Sequence, residues 1–296
     1  MRVGCVRYLN TYPLVEGLQR VRGFELDAAV PARLIEMLVG TSGSPNAESN
    51  PLGPRVDIAL ISIIDAAASP VPLCLVPAGM IGCDGPTLTV RLFSRVPFDR
   101  VTRLHADTDS HTSVALSRVL LAQKFGVRPE VVPFDAREMV PSEGGLEADS
   151  SADVDGAWPE TLLLIGDKVV SDSPPAIRYP HQLDLGEAWK DLTGLPFAYA
   201  VWACRAADRD RPVVADAALV LDRQRRRNAA RLDWIVERRS ADLRWPADLA
   251  RKYFGELLRF EVTPDVRTAA QRFIDAAADE GIVPATTLRW LDEPGA

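Results

Sequence analysis

Cysteine and histidine are scarce in this sequence, and their spacing suggests neither a disulfide framework nor a metal site. The 296 residues include four cysteines and three histidines. The cysteines are scattered without a CxxC pair, which is typical of reduced, mostly buried thiols. The histidines show no HExxH or other ligand spacing, so no metal site is expected. These residues are Cys5, Cys74, Cys83 and Cys204, and His105, His111 and His181.

The sequence has no long apolar run and no excess of positive charge, and no leader peptide is expected. No apolar segment is long enough to cross a bilayer, and Arg2 and Arg7 interrupt the first apolar run without a cleavage site after it. The net charge of −7 disfavours nucleic acid or an anionic membrane as partners. The arginine-rich stretch 222–239 contains interleaved acidic residues, which favours a solvated helix face over RNA binding. The sequence predicts a soluble, cytoplasmic protein, and it does not predict an oligomeric state.

Short apolar runs alternate with helical patterns through the first two-thirds of the chain. This alternation predicts an α/β fold with largely parallel sheets. Apolar residues at helical spacing predict helices over 13–21, 31–40 and 113–126, and the pattern is mainly helical after Pro212. The predicted strands are 2–8, 24–30, 57–61, 73–81, 87–94, 130–134 and 161–166.

Two segments are poor in core-forming residues. Residues 41–55 are rich in Gly, Pro, Ser and Asn, and residues 141–156 are acidic. Long loops of this kind are usually functional lids or insertions. Neither segment contains an aromatic residue, so insertions are favoured over lids.

Several neutral polar side chains stand where predicted strands end. Asn10 follows the first strand in "YLNTYP", and Ser62 closes the strand "DIALIS". Thr87 and Thr89 are expected on a strand, where residues two apart point to the same side. Ligands of open α/β sheets bind at such strand ends. Asn10 also suits a turn with a left-handed backbone, so both interpretations are open at this stage.

Three hydroxyls precede the apolar repeat that begins at Val114. They are Ser110, Thr112 and Ser113. Free N–H groups and the helix dipole at a helix start can bind a carboxylate, and hydroxyls there can add hydrogen bonds. A helix cap without any ligand is the alternative.

An ordered set of motifs runs through the chain from residue 3 to about residue 205, with weaker matches in "KYFGELLRFEV" and "AADEGIVP". The motifs are "YLNTYPL", "VDIALIS", "GCDGP", "SHTSVAL", "LLLIGDKV" and "LDLGEAWKDLTGLPFAYAVW". Together they resemble the chorismate dehydratases of the futalosine route to menaquinone, the MqnA family. This resemblance implies a two-lobed fold like that of type II periplasmic binding proteins, with the ligand cleft between the lobes. It implies one lobe from 1–93 and 203–296 and a second from 94–202, with 197–205 as the return strand.

The resemblance also implies an activity and a set of site residues. The expected reaction is a hydro-lyase reaction that converts chorismate to 3-[(1-carboxyvinyl)oxy]benzoate and water in menaquinone biosynthesis, with no cofactor. Asn10 and Thr89 are the implied catalytic residues, and the family commonly has serine where Thr89 stands. Asp167 binds substrate hydroxyls in one interpretation and holds a turn in the other. The implied substrate-binding residues are Tyr8, Ser62, Thr87, Ser110, Thr112, Ser113 and Asp167.

The identity of the proton acceptor is open. His111 lies beside the expected anion site, but the motif "SHTS" shows no partner that would orient it as a base. The substrate's own enolpyruvyl carboxylate is the alternative acceptor, in which case the protein acts mainly by positioning. A non-catalytic small-carboxylate-binding protein or sensor of the same fold is the alternative function.

Overall fold

The computed structural model describes residues 1–6, 8–40, 55–135, 158–243 and 245–293. Apart from Arg55, the predicted insertions at 41–55 and 141–156 lie outside these residues. No helix in the described part of the chain combines the length and the apolar character that a membrane span requires.

The first sheet has six strands in the order β11-β4-β10-β3-β1-β2. β1 pairs in parallel with both β2 and β3, whereas β10 runs antiparallel between β3 and β4. The strands are β1 (Arg2–Cys5), β2 (Glu25–Ala28), β3 (Ile58–Ser62), β4 (Leu73–Cys83), β10 (Phe197–Arg205) and β11 (Leu258–Arg259).

The second sheet has five strands in the order β7-β6-β8-β5-β9. β6 is parallel to β7 and β8, and β5 is antiparallel to β8 and β9. The strands are β5 (Val90–Ser94), β6 (Arg103–Asp107), β7 (Glu130–Phe134), β8 (Thr161–Ile165) and β9 (His181–Asp184). The two sheets form two lobes of a mixed α/β protein, as predicted. The prediction of largely parallel sheets was wrong, because β10 runs opposite to β3 and β4 and β5 runs opposite to β8 and β9. Five of the nine strand pairings in the described residues are antiparallel.

Helices cover both sheets. The helix predicted over 13–21 is interrupted, because Gly17 has a φ of 93° and separates the short helix α1 from a 3-10 turn at Leu18–Arg20. The α-helices are α1 (Tyr12–Val15), α2 (Pro31–Val39), α3 (Asp65–Ala68), α4 (His111–Phe125), α5 (Lys168–Ser171), α6 (Leu185–Thr193), α7 (Pro212–Ala229), α8 (Leu232–Arg239), α9 (Ala247–Lys252) and α10 (Pro264–Asp279).

Two short crossings connect the sheets, at residues 84–89 and 194–196. All of β5 pairs within the second sheet, and β10 pairs along its whole length with β4 of the first. Residues 90–93 and 197–202 therefore belong to the opposite sheet from the one that the predicted boundaries at 93/94 and 202/203 assign to them. Each strand pairs with its neighbour from its first residue after the crossing, so its first residues already belong to the sheet that it joins. The wider division into two discontinuous lobes stays a prediction.

Candidate functional site

A narrow cavity of about 60 Å³ lies between the two sheets. Val6 and Tyr8 after β1, Ser62 at the end of β3, and Ile165 and Gly166 at the end of β8 contribute to its wall. None of the described lining residues is Lys, Arg, His, Asp or Glu. Nine of them carry a neutral polar side chain: Tyr8, Asn10, Ser62, Thr87, Thr89, Ser110, Ser113, Tyr199 and Tyr253. Most of the predicted site residues therefore line one cavity, and the two that do not are Thr112 and Asp167.

Asn10, Thr89 and Tyr253 all line the cavity. The hydroxyls of Thr89 and Tyr253 are 2.7 Å apart. Burial raises the pKa of the Tyr253 phenol, and the nearby Asn10 side chain opposes this rise. Thr11 Oγ1 donates to Asn10 Oδ1 over 3.3 Å. Asn10 lies in the 3-10 turn Leu9–Thr11 and does not have the positive φ that the turn interpretation invoked.

The segment before β5 is a turn, so the prediction that Thr87 and Thr89 alternate on a strand was wrong. Strand β5 begins only at Val90. Leu88, between the two threonines, has a φ of 72°, which is rare for a residue with a side chain. Both threonines line the same cavity because the backbone turns at Leu88, and not because they alternate on a strand.

Asp184 holds this turn in place. Its buried carboxylate accepts the backbone N–H groups of Thr87 at 2.9 Å and Leu88 at 2.7 Å. It also caps α6 by accepting the N–H groups of Gly186 and Glu187. One carboxylate therefore fixes both the left-handed turn and the start of a helix.

Thr87 is fully engaged within the protein. Its hydroxyl lies 2.8 Å from the hydroxyl of Tyr199 and donates to Cys83 Sγ over 3.1 Å. Burial raises the pKa of the Cys83 thiol to about 12, so the sulfur is neutral. A Cβ on Gly186 would come within 2.6 Å of Cys83 Sγ, so this close approach of α6 requires glycine.

The first turn of α4 brings two of the three predicted hydroxyls to the cavity. Ser110 is the N-cap, and its Oγ accepts the N–H of Ser113 at 3.2 Å. Both serines line the cavity, and their hydroxyls are 3.0 Å apart. Thr112 does not line it, because its fully buried Oγ1 accepts the N–H of Ile64 at 3.4 Å. The cap is confirmed for Ser110, and Thr112 connects α4 to the loop after β3.

Tyr8 joins the first lobe to a buried ionic cluster in the second. Its hydroxyl donates to Asp109 Oδ2 over 2.9 Å, and Lys168 Nζ donates to the same oxygen over 3.0 Å. Lys168 also pairs with Asp107, whose pKa is raised by burial. The ring of Tyr8 faces the cavity and packs on Gly166, whose Cβ position lies 3.7 Å from the ring. Tyr8 thus connects the lobes.

Asp167 lies outside the lining of the cavity and holds a junction between the lobes. Its Oδ1 accepts the indole N–H of Trp245 at 3.0 Å. Burial raises the pKa of Asp167 to about 6, although hydrogen bonds from Trp245 and from the Leu9 backbone oppose this shift. The structure thus favours the structural interpretation over contact with substrate.

Asp167→Asn is expected to change how stability depends on pH. The folded pKa of about 6 exceeds the usual value of about 3.9, so the native state binds a proton more tightly than the unfolded chain. Wild-type stability therefore falls relative to the variant as pH rises from about 4 to about 6, by up to about 3 kcal/mol, and the difference then stays constant. Melting temperatures of both proteins across this interval measure the effect. Parallel curves for the two proteins would contradict it.

A second, larger cavity of about 610 Å³ lies on the other side of the first turn of α4. His111 lines this cavity rather than the narrow one, and its Nδ1 is 2.7 Å from Asp65 Oδ1. The hydrogen bond to Asp65 raises the pKa of His111. The partner that the sequence did not reveal is therefore present, but His111 does not line the cavity that holds Asn10 and Thr89. Among the described residues, no group of three or more His, Cys, Asp or Glu side chains could hold a metal ion.

Sequence interpretation missed three residues of the site. Tyr199 and Tyr253 occur within the matched stretches "FAYAVW" and "KYFGELLRFEV", where a polar tip on a buried ring was the available signal. Asp184 occurs in "DLGE", whose Asp and Glu at three-residue spacing resemble a helix N-terminal capping pattern. Their contacts with residues 87–89 come from distant parts of the chain and are not visible in any local pattern.

Fold and cavity together define a two-lobed α/β protein of the periplasmic-binding-protein-like class, with a cavity between the lobes. A family model described as "Menaquinone biosynthesis" matches residues 1–279, and the chain belongs to this family. The chorismate dehydratase of Thermus thermophilus is 30% identical over 249 residues, which cover 79% of this chain and 80% of the relative. The resemblance found in the sequence is thereby confirmed.

Solved structures show the same fold at low sequence identity. Protein AF1704 from Archaeoglobus fulgidus has a TM-score of 0.59 and 14% identity, covering 95% of this chain and 98% of its own. The periplasmic aliphatic sulphonate binding protein SsuA from Escherichia coli has a TM-score of 0.59 and 13% identity, covering 100% of this chain and 94% of its own. At these identities the likeness concerns the fold alone.

Proposed function

We propose that this protein is a chorismate dehydratase, a hydro-lyase that converts chorismate to 3-[(1-carboxyvinyl)oxy]benzoate and water. One observation of the structure carries the proposal: Asn10 and Thr89, the residues that the family resemblance implies, line the same interlobe cavity, where Tyr253 is hydrogen-bonded to Thr89. The relative's printed activity and the family match support the same assignment. A cytoplasmic location stays a prediction.

The start of α4 is the proposed binding site for a substrate carboxylate. Chorismate is a dianion, and α4 is 15 residues long with its first turn at the cavity. The dipole and free N–H groups of such a helix attract an anion. Ser113 Oγ can add a hydrogen bond, while Ser110 keeps its role as the cap. Neutral donors suit this site because both substrate carboxylates stay in the product; the C3 proton and the C4 hydroxide leave together as water.

Asn10 and Thr89 are the proposed catalytic residues. Dehydration removes the C3 proton and the C4 hydroxyl, and aromatisation of the ring supplies the driving force. The enzyme must then hold the productive conformer and assist a poor leaving group. The Asn10 amide can both donate and accept hydrogen bonds. It is therefore suited to bind the departing hydroxyl.

The proposed proton acceptor is the substrate's own enolpyruvyl carboxylate. The described lining residues of the narrow cavity include no histidine, lysine or carboxylate. His111 lies at the other cavity, and Asp167 contacts Trp245 instead. If replacement of one ionisable residue abolished turnover while substrate affinity stayed intact, this part of the mechanism would be wrong.

Substrate entry requires the lobes to separate. The cavity of about 60 Å³ is much smaller than the 300–1,000 Å³, roughly, of sites that enclose small molecules. The contacts between Tyr8 and Asp109 and between Asp167 and Trp245 cross between the lobes. They are among the contacts that opening would break and closure over the substrate would restore.

Thr89→Ser and Thr89→Val test the proposed role of the Thr89 hydroxyl. Serine keeps the hydroxyl, so the rate of chorismate consumption is expected within about threefold of wild type. Valine keeps the shape of the side chain but removes the hydroxyl that is hydrogen-bonded to Tyr253, so kcat is expected to fall on the order of 10²-fold. The measurement is steady-state turnover of chorismate with a melting curve on each preparation.

Equal rates for the two Thr89 variants, both folded, would remove this hydroxyl from the mechanism. A wild-type protein that binds chorismate without consuming it would instead support the non-catalytic binding protein of the same fold.

A further inference from the structure

Tyr253 lies in an unusual backbone segment beside the cavity. Residues Tyr253–Leu257 form a π-helical turn directly after α9, and such turns occur often at functional sites. The ring of Tyr253 is buried and stacks on Trp245 at 5.0 Å and on Phe254 at 5.7 Å. Stacking on these two neighbours holds the ring in place, so its hydroxyl has a fixed position at the wall of the cavity.

The hydroxyl of Tyr253 is hydrogen-bonded to Thr89, one of the two proposed catalytic residues. Burial raises the pKa of this phenol, so it is neutral and carries a single proton. Its oxygen is 2.7 Å from Thr89 Oγ1, and either hydroxyl can be the donor. Whichever hydroxyl donates, this bond restricts the rotation of the Thr89 hydroxyl.

We propose that Tyr253 is a positioning residue for the dehydration, whose hydroxyl orients the Thr89 hydroxyl toward the substrate. This inference rests on the proposed function. It assigns Tyr253 an effect that passes through Thr89 rather than a direct bond to the substrate. Removing the tyrosine oxygen leaves the Thr89 hydroxyl in place but free to rotate away from its productive orientation.

Tyr253→Phe is the test, because it removes one oxygen and keeps the stacked ring. We expect kcat to fall roughly tenfold, the effect of one lost hydrogen bond, while KM for chorismate changes by less than about twofold. In a Thr89→Val background the same substitution should cost less, so that the combined loss falls at least about threefold short of the product of the single losses.

Tyr179→Phe is the matched control. Tyr179 is also a buried tyrosine, and its hydroxyl donates to the backbone of Pro159 in the second lobe, over 2.6 Å, away from the narrow cavity. Tyr179→Phe should lower the melting temperature to a similar degree as Tyr253→Phe and leave kcat unchanged. This control separates a general stability effect from an effect on orientation.

The outcomes separate this inference from the proposed function. Absence of chorismate turnover by the wild type would refute the function itself. With an active wild type, an unchanged kcat in Tyr253→Phe would overturn the positioning role. Fully multiplicative losses in the double variant would overturn it too, because they would show that Tyr253 acts on the substrate independently of Thr89.

Discussion

Asn10→Asp is expected to fold normally and to lose most of its dehydratase activity, by about 10²–10³ in kcat. Aspartate has nearly the same shape, so packing against Thr11 is retained. It loses the amide donor, however, and it places a negative charge beside a dianionic substrate in a cavity whose described lining contains no cation. The measurement is steady-state turnover of chorismate, with a melting curve to establish folding.

The pH dependence of Asn10→Asp provides its internal control. A protonated aspartic acid regains a hydrogen-bond donor and loses the charge. The activity of the variant relative to wild type should therefore rise as the pH is lowered. Turnover near the wild-type rate in a folded variant would remove Asn10 from the mechanism.

Asp184→Ala is expected to destabilise the protein by about 3–5 kcal/mol, on the order of 10 °C in melting temperature. The substitution leaves four backbone N–H groups without their acceptor, two in the turn at Thr87 and Leu88 and two at the start of α6. Unpaired buried donors are costly, and Leu88 also loses the bond that holds its left-handed backbone. Thermal and denaturant unfolding measure the effect.

Asp191→Ala is the matched control for Asp184→Ala. Asp191 lies on α6, the helix that Asp184 caps, but its side chain is 62% exposed and pairs with Lys124 at the surface. Its replacement should change stability by no more than about 0.5 kcal/mol. If the two variants unfolded alike, Asp184 would not be the residue that holds the turn.

Local chemistry at the ends of elements identified much of the site. Asn10, Ser62, Ser110 and Ser113 line the cavity because each follows or ends a strand, or begins a helix, at the edge where the two sheets meet. Thr112 was predicted to line the cavity for the same reason, but it does not. Positions three apart share one face of a helix, so Ser110 and Ser113 reach the cavity while Thr112 points elsewhere.

Contacts between distant residues account for what the sequence did not reveal. Thr89 and Tyr253 are 164 positions apart, and His111 and Asp65 are 46 apart, so no local pattern links them. Strands β6 and β9 were not predicted, because "RLHAD" and "HQLD" mix charged and apolar residues. Their pairing with β8 and β5 makes them strands.

The most direct test of the central claim is the identity of what purified protein makes from chorismate alone. Chromatography with mass detection, in buffer containing a metal chelator, follows the substrate and its product over time. We expect an aromatic product lighter than chorismate by one water, with both carboxylates retained, formed by the wild type and far more slowly by Asn10→Asp. Chorismate recovered unchanged after demonstrated binding, or an equal rate from both proteins, would contradict it.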